Sequence, residues 1–151
     1  MTRRSGGYTA AIADVEVNKS TGKVTVQRIT LAHDCGLIVN PDGVRNQVEG
    51  NIVQGVSRAL LEEVTFDGNA VTSLDWASYP ILRFPELPEL DIVLLNRQDV
   101  EPLGAGELST VPVPAAIANA IFDATGARLR EAPFTPKRVL AAMQTAGKPA
   151  S

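Results

Sequence analysis

Apolar and polar positions alternate from Tyr8 to Val17, with Ala11, Ala13, Val15 and Val17 on one side and Ile12, Asp14 and Glu16 on the other. That is the period-two signature of a half-buried strand. Residues 18–22 carry turn chemistry, and Gly22 suits a positive φ. The alternation returns over residues 23–33, but its phase slips, because Val24 and Val26 are followed by Ile29 and Leu31. A β-bulge near Gln27 and Arg28 accounts for the odd step. The two strands read as a hairpin.

The period then changes. After the loop Asp34-Cys35-Gly36 and the turn initiator Asn40-Pro41, the residues Val44, Val48, Ile52, Val56, Ala59 and Leu60 recur at helical spacing. They predict a long helix over 42–62. Its other face carries Gln47, Asn51, Gln54 and Arg58, and Gly50 and Gly55 interrupt its interior. An interior Gly costs about 1 kcal/mol against Ala, so the pair suggests close approach of a backbone or a ligand; tolerated glycines on a solvated face are the plainer alternative. Residues 66–70 read as a turn between short strands near 63–65 and 71–73. Residues 84–89, with prolines three apart, form a stiff connector. The aliphatic run within 90–96 is the best candidate for a central strand.

Residues 104–110, Gly-Ala-Gly-Glu-Leu-Ser-Thr, make a glycine-rich turn ending in a carboxylate, Glu107. An alanine-rich helix over 114–125 follows, entered through Pro112 and Pro114 and closed by Gly126. Thr135 and Pro136 start a last helix that buries Val139, Leu140 and Met143. The fold class is α+β: an antiparallel or mixed sheet of about four strands packed with one long and two shorter helices. The domain is expected over 7–146, with flexible ends at 1–6 and 147–151.

Composition narrows the function. With 151 residues, 44% hydrophobic and 21% charged, the chain is ordinary for one globular domain. A net charge of −3 and no basic stripe argue against a nucleic-acid partner. No apolar run reaches the roughly 18 residues of a spanning helix, and the N-terminus lacks the apolar core of a signal peptide. A soluble chain without membrane insertion is expected, in the cytoplasm or periplasm according to an N-terminal part outside this sequence. One histidine, His33, and one cysteine, Cys35, exclude a thiolate cluster and any H-E-x-x-H site. No metal site made of protein ligands is expected. His33 and Cys35, two apart, are either a reactive pair or buried structural residues. Gln47, Asn51 and Gln54 suit a ligand that both donates and accepts hydrogen bonds, such as a pterin.

The ordered series Asp34-Cys35-Gly36, Asn40-Pro41, Gln47-Val48-Glu49-Gly50, Val53-Gln54-Gly55 and Leu61-Glu62-Glu63, followed by the 104–124 stretch, resembles the C-terminal part of the molybdenum-binding large subunit of the xanthine dehydrogenase/aldehyde oxidoreductase family. The ending Phe134-Thr135-Pro136-Lys137-Arg138-Val139 looks most like the isoquinoline 1-oxidoreductase β-subunit branch. The resemblance runs over most of the chain, from about Gly7 to Met143. It implies a molybdopterin-binding domain and oxidation of an aldehyde or N-heterocycle with water as the oxygen source. Glu107 matches the active-site glutamate, a general base whose neutral form burial beside apolar residues such as Val111 would favour. Gln47 matches a pterin-binding glutamine, and Gln54, Gly36 and Gly106 lie in the corresponding loops. The cofactor implied is molybdopterin, in a dinucleotide form, held by the complete enzyme and not by this chain alone. The partners implied are the remainder of the molybdenum subunit, an iron–sulfur subunit and a small aldehyde or N-heterocyclic substrate. The family subunit is several times longer, so the chain reads as a fragment that is inactive alone. The alternative is a non-catalytic accessory α+β domain that binds a partner chain. An exposed apolar patch favours the fragment; a polar surface with Glu107 paired to an Arg favours the alternative.

Overall fold

The structure is a computed structural model and describes residues 6–146. The ends expected to be flexible lie outside the described residues, apart from Gly6. In chain order the elements are β1 (Tyr8–Val17), β2 (Val24–Asp34), α1 (Pro41–Leu60), β3 (Phe66–Asp67), β4 (Ala70–Val71), β5 (Glu89–Leu95), α2 (Val113–Thr125) and α3 (Pro136–Ala146). Short 3-10 turns occupy Phe84–Glu86 and Leu108–Thr110.

β1 and β2 form the expected antiparallel hairpin, with Gly22 at φ 76° in its turn. The register shifts between Asp14 and Val15: Asp14 faces Arg28 and Val15 faces Val26, which leaves Gln27 as the extra residue. The bulge keeps Val24 and Val26, and then Ile29, Leu31 and His33, on the buried side despite the odd spacing. Ile29 and Leu31 are fully buried, and burial of such side chains stabilises by about 1.5–3 kcal/mol each.

α1 begins where Asn40 leaves helical geometry (φ −132°, ψ 95°) and its side-chain oxygen accepts from the Gly43 N–H at 3.0 Å. It carries the chain over to β5, which pairs parallel with β2. The main sheet therefore has the order β1-β2-β5 and is mixed. α1 packs on α2, and α2 lies across β1. Val48, Ile52, Val56, Val113, Ile117, Ile121 and Val139 close the core against the sheet.

Two expectations need correction. The aliphatic run of β5 is not a central strand; β2 is. β5 pairs on one side only, and Ile92 alone is buried while Val93 (49%) and Leu95 (45%) are exposed. Aliphatic density records strand preference but not whether both faces are covered. The second hairpin is tighter than expected: Phe66 pairs with Val71 and Asp67 with Ala70 across a two-residue turn with Gly68 at φ 58°. It forms its own two-stranded sheet, so among the described residues three strands share the main one, within the α+β class expected. Within α1, Gly55 makes the close approach expected of it, against Val113, whereas a Cβ at Gly50 would meet nothing.

Candidate functional site

Glu107 stands at the head of the 3-10 turn Leu108–Thr110, where its carbonyl accepts from the Thr110 N–H at 3.1 Å. Its side chain is exposed, and among the described residues no salt bridge reaches it. The expected burial beside apolar residues is not met, because Val111 is itself 73% exposed. Gly104 and Gly106 have negative φ and open space where a Cβ would stand. They leave room beside the carboxylate, as expected, but not through left-handed backbone.

Behind the turn, the hydroxyl groups of Ser109 and Thr110 are tied to the framework. Ser109 is fully buried and shares a 2.8 Å hydrogen bond with Nδ1 of His33, also fully buried. Thr110 donates to Oδ1 of the buried Asn51 on α1 at 3.1 Å. Burial lowers the pKa of His33, with Asp34 opposing, so its imidazole is neutral near pH 7 with one N–H and one acceptor nitrogen. Burial raises the pKa of Cys35, with Asp34 adding to the effect, which keeps the thiol protonated and unreactive. The His33/Cys35 pair is thus structural, and Ser109 is the histidine's partner. Spacing in sequence could not show this bond, which links residues 76 apart.

The expected cofactor residues divide. Gln47 is exposed on the first turns of α1, and its amide donates to the Gly106 carbonyl over a long 3.4 Å. Gln47, Gly106 and Glu107 therefore come together across 59 residues. Gln47 also lines a hollow of about 230 Å³ with Cys35, Asn40 and Leu103. Gly36 shapes the wall of that hollow rather than facing it. Its φ is 75°, and a Cβ would collide with the Glu101 carbonyl. It is fixed further where the Arg97 N–H donates to its carbonyl at 3.2 Å and its own N–H donates to Asp34 at 3.0 Å. Burial alone would raise the Asp34 carboxyl pKa, but that N–H and the Arg97 guanidinium, 2.7 Å away, hold it below the usual range. Gln54 is elsewhere. It lies seven residues, about 10 Å, along α1 from Gln47, accepts from Arg58 at 3.2 Å and lines a separate hollow with Trp76 and Tyr79.

Among the described residues no group of three or more His, Cys, Asp and Glu side chains is placed to hold a metal ion. What the turn and α1 offer is amide donors and acceptors, open backbone and one carboxylate, which suits an organic group held by hydrogen bonds. The surface also carries uncovered apolar side chains: Leu74 (81%), Phe84 (87%), Trp76 and Val39 among them. No helix of the described residues is long and apolar enough to cross a membrane.

Comparison with known proteins places the fold in a family. Residues 2–88 match the family model of the molybdopterin cofactor-binding domain, and the chain belongs to that family. Over 93% of its length it is 52% identical to a nicotinate dehydrogenase subunit of Pseudomonas putida, and over 97% it is 34% identical to the β-subunit of isoquinoline 1-oxidoreductase from Brevundimonas diminuta. The crystal structure of quinoline 2-oxidoreductase from Pseudomonas putida 86 superposes with a TM-score of 0.78 over 86% of the chain, at 28% identity. The chain spans 12% of the first of these proteins and 18% of each of the other two.

Proposed function

We propose that this chain is one segment, a single unit over 7–146, of the large subunit of a molybdenum hydroxylase, and that it supplies the active-site base, Glu107. The observation that carries the reading is the junction of Gln47 on α1 with the Gly106–Glu107 turn. It joins a flexible amide and an unpaired carboxylate on one open face of a molybdopterin-domain fold. The residues fit such a cofactor: Gln47 and the backbone at Gly106 offer hydrogen bonds to a pterin edge, and Gly36 lets the 35–40 loop pack closely on Glu101 beside that face. Gln54 makes a separate contact two turns further along α1. When bound, in a dinucleotide form, the cofactor supplies the two-electron redox chemistry. Glu107 accepts a proton at its carboxylate oxygen as water-derived oxygen is transferred to an aldehyde or N-heterocycle. The uncovered apolar side chains support docking against the remainder of the large subunit, and an iron–sulfur subunit completes electron transfer, since Cys35 alone cannot ligate a cluster.

The test is co-production of this chain with the remainder of the large subunit and its iron–sulfur partner, followed by assay on nicotinate and on aldehydes. Turnover is expected only when all parts are present. Glu107→Gln keeps the side-chain volume but removes the basic oxygen, and should lower kcat by more than about 100-fold while molybdenum content stays constant. Turnover by Glu107→Gln at the parent rate would refute the assignment.

A further inference from the structure

We propose that the buried pair His33–Ser109, together with Asn51–Thr110, is a positioning device that fixes the direction in which Glu107 leaves its turn. The inference rests on the reading of Glu107 as the base. The 3-10 turn is held from behind at two consecutive residues. Ser109 is tied to the central strand β2 through His33 at 2.8 Å, and Thr110 is tied to α1 through Asn51 at 3.1 Å. In front of it, a Cβ at Gly104 or Gly106 would meet nothing, the Gly106 carbonyl has only the long 3.4 Å bond from Gln47, and Glu107 and Val111 are exposed. Leu108 is only partly buried, and the directional restraint on the turn comes from the two bonds behind it.

The placement of His33 argues for a purpose beyond filling the core. It follows Ile29 and Leu31 on the buried face of β2, where an apolar side chain would leave the fully buried Ser109 hydroxyl without this partner. Its Nε2 is buried without a partner, as are Oγ1 of Thr9, its register partner on β1, and Nδ2 of Asn51. What His33 supplies in place of an apolar side chain is a directional bond to the residue two after Glu107. A pair of directional bonds, one to a sheet and one to a helix, defines the turn's orientation as apolar contact does not.

Two kinds of measurement test this. In the 151-residue chain, amide exchange of Thr110 and Val111, whose N–H groups close the turn onto Glu107 and Leu108, is compared in Ser109→Ala and His33→Phe. Loss of the bond from either side should speed these amides by about tenfold or more while α1 and β2 keep their protection. His33→Asn, which returns a polar atom near the Nδ1 position, should restore slow exchange. In the complete enzyme, Ser109→Ala should lower kcat by about 10–100-fold with KM and molybdenum content unchanged. If His33→Phe fails to fold, Ser109→Ala decides from the turn side. Unchanged exchange at Thr110 and Val111, or loss of molybdenum without a change in kcat per bound metal, would overturn the proposal. An active Glu107→Gln enzyme would instead remove the base reading and leave the exchange result standing for the turn alone.

Discussion

Two glycines of α1 should respond in opposite directions to the same substitution. At Gly50 an added Cβ meets nothing within 4 Å, on an exposed part of a 20-residue helix. Gly50→Ala should stabilise by about 0.5–1 kcal/mol, the helix-propensity difference. At Gly55 the same atom would stand 2.9 Å from Cβ of Val113 and 3.0 and 3.3 Å from its two methyl carbons. Val113 is fully buried in the first turn of α2, so relief requires α2 to move away from α1. Overpacking of this kind costs about 1–3 kcal/mol. A contact tighter than real Cβ atoms show belongs at the upper end of that range, which leaves Gly55→Ala destabilised by about 1–2 kcal/mol after the same propensity gain. The two variants should differ by about 2–3 kcal/mol, or roughly 5–10 °C in melting midpoint for a chain of this size. Thermal and urea unfolding, followed by far-UV circular dichroism, would measure the difference. Parallel shifts of the two variants would refute the close approach of α1 and α2 at Gly55.

Two further substitutions probe the frame around the site. Asn40→Ala removes the side chain that caps α1 at the Gly43 N–H, and should cost about 1 kcal/mol in urea unfolding; an unchanged midpoint would show that water replaces the cap without loss. Arg138 joins α3 to Glu63 through two hydrogen bonds of 3.1 and 2.8 Å and to Glu131 at 2.7 Å, and its hydrogen bonds hold the Glu63 carboxyl below the usual range against a smaller effect of burial. A folded-state pKa that is depressed stabilises above the ordinary glutamate value of about 4.3 and loses that contribution as pH falls through the lower folded value. The difference in urea midpoint between the parent and Arg138→Ala should therefore be largest near neutral pH and shrink toward about pH 3. A pH-independent difference would show that the guanidinium acts through packing and its bond to the Pro133 carbonyl.

Local signals were the legible ones. Alternation located β1 and β2, and its odd step located the bulge at Gln27, because side-chain direction in a strand is fixed by counting residues. The left-handed glycines 22 and 126 and the helix stripes were readable from local sequence too, whereas the cap that Asn40 gives α1 was read only as a turn. The turn bearing Glu107 was legible as a held carboxylate with space beside it. What held it was not. The bonds His33–Ser109 and Asn51–Thr110 join residues 76 and 59 apart, and nothing in a Ser-Thr dipeptide says which strand or helix its hydroxyls meet. Likewise, the aliphatic run of β5 could not tell a covered face from an open one. That depends on chain folding over Val93 and Leu95, not on the residues themselves.

The proposed role of Glu107 asks first for a carboxylate held in place. A carboxylate takes up a proton near neutral pH when its surroundings disfavour the charged form, through desolvation or a like charge. Position is provided here: the turn is anchored to β2 and α1, and no arginine competes for Glu107 among the described residues. The carboxylate and Val111 both face solvent on the outer side of that turn. Under the proposed role, a part of the large subunit that covered Val111 would also exclude water from Glu107, since the two belong to one short turn. The proposal thus gives this chain, which spans 12–18% of its relatives, the placement of the carboxylate through β2 and α1.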